Sequence, residues 1–95
     1  MFYPEFLGIP WYRESDYAEI RRVMIDGDSL PPTYFEWFRN AVQLEKSQQD
    51  NGVKVVRVML NPAGFCDWCA SRGTNPAAKA RMEYARIEAR RRLGK

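Results

Sequence analysis

The stretch Asn51-Gly52-Val53-Lys54-Val55-Val56-Arg57-Val58-Met59-Leu60-Asn61-Pro62 decides how this chain folds. Asn-Gly favours the left-handed backbone that ends a helix, and Asn-Pro favours the cap and first turn of the next one. Between these signals lies a β-branched run over 53–60, polar only at Lys54 and Arg57, which suits a strand. Its amides and carbonyls need partners that flanking helices do not supply. Two are open on sequence grounds: the N-terminal segment around Phe6 to Ile9, or the same strand of a second subunit.

The preceding residues form a long helix. Thr33-Tyr34-Phe35-Glu36 is a capping box, and from Tyr34 to about Asp50 the apolar positions Tyr34, Phe35, Trp37, Phe38, Ala41, Val42 and Leu44 cover nearly half the helical circumference. Upstream, Ser15 is the expected cap of a short helix from Asp16 to about Ile25, ended by Asp26-Gly27-Asp28-Ser29. Residues 1–14 alternate bulky side chains with Pro4, Gly8 and Pro10, which reads as an extended arm anchored by Phe2, Phe6, Ile9 and Trp11.

Downstream, Asn61-Pro62 and Asn75-Pro76 predict two more helices, about 62–72 and 76–93, separated by Gly73. The expected architecture is therefore α/β and mainly helical: an extended arm, two helices, one central strand and two helices. Ninety-five residues suit a single domain over 1–95. A hydrophobic content of 45% with 14% aromatics is ample for a core.

The arm carries Glu5 and two prolines and lacks the basic start and apolar core of a secretion signal. No window approaches the apolar length of a membrane span. Two cysteines, Cys66 and Cys69, are too few for the disulfide framework of a small secreted domain. The expected compartment is the cytoplasm.

Cys66-Asp67-Trp68-Cys69 has the spacing of a dithiol or of half a zinc site. Cys66 falls about one turn inside its helix rather than at the N-terminus that would activate it, and Phe65, Trp68 and Cys69 share one face. Packing is the expected role, with thiol redox or metal chemistry as an alternative. The chain has no histidine, so a four-ligand zinc site cannot be completed within it and the commonest general base is missing. The six glycines form no phosphate-binding loop. Asp16, Asp26 and Asp28 sit at turn and cap positions that account for them. No catalytic residue and no cofactor are expected.

The last helix carries two apolar stripes, Ala77, Ala80, Tyr84 and Ile87, and nearly opposite them Ala78, Met82, Ala85, Ala89 and Leu93. One stripe suffices to pack a helix on its own domain, so Met82, Ala85, Ala89 and Leu93 are the candidate contacts for a homodimer or a protein partner. Net charge is +3, and residues 74–95 hold seven Lys/Arg against two Glu. Arg86, Arg90, Arg91 and Arg92, with Lys95, are candidate polyanion contacts, although solvated charge at a helix end is the commoner reading. Weak, salt-sensitive nucleic-acid binding is thus an alternative function.

Four groups of residues carry a resemblance. They are Ile9-Pro10-Trp11-Tyr12-Arg13 with Asp16-Tyr17; Leu30-Pro31 with Thr33-Tyr34 and Trp37; Asn61-Pro62 with Phe65 and Trp68-Cys69; and Ala80-Arg81 with Tyr84-Ala85. Together, from about residue 9 to residue 85, they resemble a group of short, uncharacterised bacterial proteins with no assigned activity. The resemblance implies a bacterial cytoplasmic origin and an incidental second thiol at Cys66, and gives no mechanism. The expected function is that of a small non-enzymatic protein that self-associates or binds a protein partner through its last helix and the strand edge.

Overall fold

A computed structural model describes residues 3–94; the expected anchor Phe2 and the basic Lys95 lie outside the described residues. The fold is mixed α and β and mainly helical, in the order β1 (Phe6–Trp11), α1 (Tyr17–Val23), α2 (Tyr34–Asp50), β2 (Lys54–Met59), α3 (Pro62–Ser71) and α4 (Ala78–Arg92). Short 3-10 turns at Glu14–Asp16 and Gly27–Ser29 flank α1.

The strand's partner lies within the chain. β1 pairs with β2 in parallel, with Phe6 opposite Lys54, Gly8 opposite Val56 and Trp11 opposite Met59. Parallel strands require a long crossover, and α1 with α2 provides it. Gly8 and Pro10 look like breakers in sequence, yet both lie inside β1. Gly8 is there because α4 passes too close for a side chain: a Cβ would stand 2.3 Å from the Ala85 carbonyl oxygen and 3.0 Å from the Ala89 Cβ. Pro10 is tolerated because its missing N–H falls on the outer edge, as shown below.

The helices cover both faces of this two-stranded sheet. Trp11 packs edge-on against Trp37 and Phe38 of α2, at 5.2 and 5.9 Å between ring centroids. On the same face Arg57 lies 4.0 Å over the Trp11 ring and donates two hydrogen bonds of 2.7 Å to Glu45. On the opposite face Phe6, Val56 and Val58 meet Ala85 and Ala89 of α4. Tyr84 links that layer to α3 through Phe65 and Trp68, at 5.7 and 5.3 Å. The chain itself therefore covers Ala85 and Ala89 of one stripe with the sheet and meets Tyr84 of the other with α3, while Ala78 and Met82 stay exposed.

The helix signals were uneven. Thr33 Oγ1 accepts from the Glu36 amide and Gly52 adopts φ 82°, so α2 has the bounds its capping signals predict. Asn61 Oδ1 accepts from the Gly64 amide at the start of α3. Ser15 does not cap α1, which starts after Asp16 and ends at Val23. Asn75 does not cap α4, which starts at Ala78: the Pro76 carbonyl accepts from the Ile25 amide at 2.9 Å, and this tertiary bond holds the segment outside the helix. Phe35 and Leu44, expected on the apolar face of α2, are 72% and 45% exposed. Arg81 is buried and forms a two-pronged ion pair with Asp26 at 2.8 and 3.2 Å, so Asp26 does more than end a turn.

Candidate functional site

The hydrogen-bond parity of the sheet defines its free edge. The Glu5 carbonyl accepts from the Lys54 amide at 3.3 Å, and the Trp11 carbonyl accepts from the Leu60 amide at 2.9 Å. In a parallel ladder every second residue turns its N–H and C=O toward the partner. Leu7 and Ile9 thus face β2, while the N–H and C=O of Phe6 and Gly8 and the C=O of Pro10 face outward. Among the described residues, none of these outward groups meets a hydrogen-bonding partner. On the other edge, the outward carbonyl of Arg57 accepts from Arg92 Nη1 at 2.9 Å, so α4 covers part of the β2 edge and leaves β1 open.

A groove of about 500 Å³ runs along this edge, lined by Pro4 to Gly8 on one side and by Met82, Glu83, Arg86 and Arg90 of α4 on the other. A second hollow of about 280 Å³ continues past Ile9 and Pro10, between Met82 and the Leu30-Pro31, Asn40 and Leu44 side. Gly8, Ile9 and Pro10 are buried although their strand ends the sheet. The edge therefore lies in a trough walled by α4, with α2 and Leu30-Pro31 as a second wall only along the hollow past Ile9 and Pro10.

The expected contact residues are divided by this geometry. Ala85 and Ala89 are fully buried against the chain's own sheet and are not free for a partner. Met82 is 46% exposed in the trough, and Leu93 is half-buried beyond the end of α4. The four arginines do not form one patch. Arg86 and Arg90 face the trough, Arg91 pairs with Glu88 at 3.1 Å, and Arg92 binds the β2 edge. Arg86 and Arg90 make no ion pair among the described residues. The sequence offered Phe6 to Ile9 as one of two partners for the central strand, and the structure takes that one, but the outer edge of β1 beside α4 was not foreseen.

Cys69 is 1% exposed, and burial pushes its thiol up, away from the reactive thiolate. Cys66 is half-buried beside it. Among the described residues no group of three His, Cys, Asp or Glu side chains converges in a way that would hold a metal ion. The buried ion pair is the other polar feature. Hydrogen bonding to Arg81 holds the Asp26 carboxyl below its usual range, and burial pushes the nearby Tyr12 phenol up to about 12. This cluster ties the Asp26 turn to α4, and Tyr12 and Arg81 also line the second hollow.

No protein-family model, curated protein or solved structure matches the chain. No helix among the described residues is long and apolar enough to cross a membrane.

Proposed function

We propose that this chain is a small, non-enzymatic protein-binding module of the bacterial cytoplasm that captures an extended segment of a partner along the free edge of β1. The observation that carries the reading is the row of outward groups, two amides at Phe6 and Gly8 and three carbonyls at Phe6, Gly8 and Pro10, at the floor of a groove. Strand addition satisfies such groups with backbone bonds, and the groove walls read alternate side chains. Each bond contributes about 1 kcal/mol net, so a few bonds with apolar burial support micromolar binding.

The recess favours a thin extended segment over a second copy of the chain. A second β1 edge would bring its own α4 wall, with a second Arg86 and Arg90, toward the first.

Selection of a displayed library of random peptides on the folded chain tests the reading. Peptides that bind the native chain should lose binding to Phe6→Pro, which removes an outward amide at the first residue of the strand, where proline is tolerated. Phe6→Leu should keep binding. Failure to enrich any peptide, or equal binding to a folded Phe6→Pro variant, would overturn it.

A further inference from the structure

We infer that the segment taken by this groove is acidic at alternate positions, with carboxylates facing α4 and apolar side chains facing α2. The inference rests on the strand-edge reading above and adds the chemistry of the ligand.

Arg86 and Arg90 are one helical turn apart, so they stand about 6 Å apart along α4. Alternate residues of an extended strand stand about 6.8 Å apart on one face. A segment lying beside β1 therefore brings two side chains of the same parity to the two guanidinium groups in turn. α4 runs antiparallel to β1, since Arg90 flanks the groove beside Pro4 to Gly8 whereas Ala78 and Arg81 lie beside Pro10 and Tyr12. The α4 wall thus reads Arg90, Arg86 and then Met82, in the order in which β1 runs.

Charge decides the occupant. Both arginines are exposed and without an ion-pair partner among the described residues; Arg13, Arg21, Arg39 and Arg92 also lack one, but only Arg86 and Arg90 of these line the groove. Glu83 stands on the same wall but its carboxylate approaches Arg72 at 3.9 Å, and Glu5 lies across the groove on the strand side. The opposite parity of a bound segment meets Leu7 beside the groove and, in the hollow beyond it, Ile9 and the exposed Leu44 with Asn40 near them. The best fit is a segment with carboxylates at positions i and i+2, apolar residues between them, and an apolar residue at i+4 or i−2 against Met82.

Fluorescence anisotropy with three labelled seven-residue peptides tests this. One alternates Glu with Leu or Val, one has the same composition in two blocks, and one replaces each Glu by Lys. The alternating acidic peptide should bind best, and Arg86→Glu and Arg90→Glu should each weaken it by about tenfold and transfer preference to the Lys peptide. Both variants change exposed side chains, and unchanged thermal unfolding would establish that they fold. Equal binding of the Glu and Lys peptides to the native chain, or indifference to both substitutions, would overturn the inference. So would light scattering that showed a dimer which the peptide must first dissociate, because a second copy would then be the occupant. Selected peptides that need the Phe6 amide but carry no carboxylates would overturn the acidic specificity while leaving the strand-edge reading standing.

Discussion

Gly8 and Ala85 approach so closely that a Cβ on the glycine would stand 2.3 Å from the alanine's carbonyl oxygen. The obstacle is helix backbone, which cannot rotate away as a side chain can. Gly8→Ala must therefore lift α4 from the sheet. It should destabilise the chain by about 2 kcal/mol, in the range of overpacked cores, as read from urea unfolding. A loss below about 0.5 kcal/mol would mean that α4 does not seat directly on β1.

Asp26 and Arg81 give the second prediction. Arg81 is 7% exposed, and removing its partner leaves a nearly buried charge uncompensated. Asp26→Asn should cost about 3 kcal/mol at neutral pH. Replacing both residues by apolar ones of similar size should cost less than this single change, because no orphan charge remains.

The same pair sets the acid limb of stability. Since the Asp26 carboxyl is held below its unfolded value, its contribution is present above the ordinary carboxylate range and is lost as pH falls through the lower folded value. The stability gap between the native chain and Asp26→Asn should then be widest near pH 7 and close in strong acid. At the alkaline end the sign reverses. Tyr12 titrates near 12 in the folded chain against 10.0 when exposed, so folding loses stability as pH rises between those values. Tyr12→Phe should reduce that alkaline slope, and burial of Tyr17 and Cys69, which raises their pKa values too, should account for part of the remainder.

The thiols should behave unequally. A disulfide-exchange reagent should modify Cys66 slowly in the folded chain and reach Cys69 only on unfolding, since Cys69 is 1% exposed within α3. Rapid reaction of both would support the redox reading of the motif instead.

Phe35 is an exception among the aromatics of α2. At 72% exposure it contributes little to the core, and Phe35→Ser should change stability by less than about 0.5 kcal/mol, whereas Trp37→Ala should cost about 4 kcal/mol.

What could be read in advance follows from how local each signal is. The bounds of α2 were legible because the Thr33 cap and the left-handed Gly52 are decided by a few adjacent residues. The start of α4 was not, because the bond from the Ile25 amide to the Pro76 carbonyl joins residues far apart in sequence. The Arg81–Asp26 pair was not legible for the same reason: the two residues are 55 apart in sequence. β1 was read as an extended arm with strand pairing left open, because Gly8 and Pro10 suppress the local strand signal and their tolerance depends on Ala85 and on ladder parity. The candidate site inherits this division. Met82, Arg86 and Arg90 were legible on the helix, but the edge that they flank was not, and Ala85 and Ala89 were taken for contact surface because nothing local showed that the sheet would cover them.

The central claim is that the outward amides of β1 receive a partner strand, and amide hydrogen exchange measured by NMR tests it most directly. In the free chain the Phe6 and Gly8 amides should exchange faster than those of Leu7 and Ile9, which the ladder with β2 protects. On saturation with the alternating acidic peptide, Phe6 and Gly8 should slow to the rate of their neighbours. Saturable binding that left both amides exchanging as before would contradict the account.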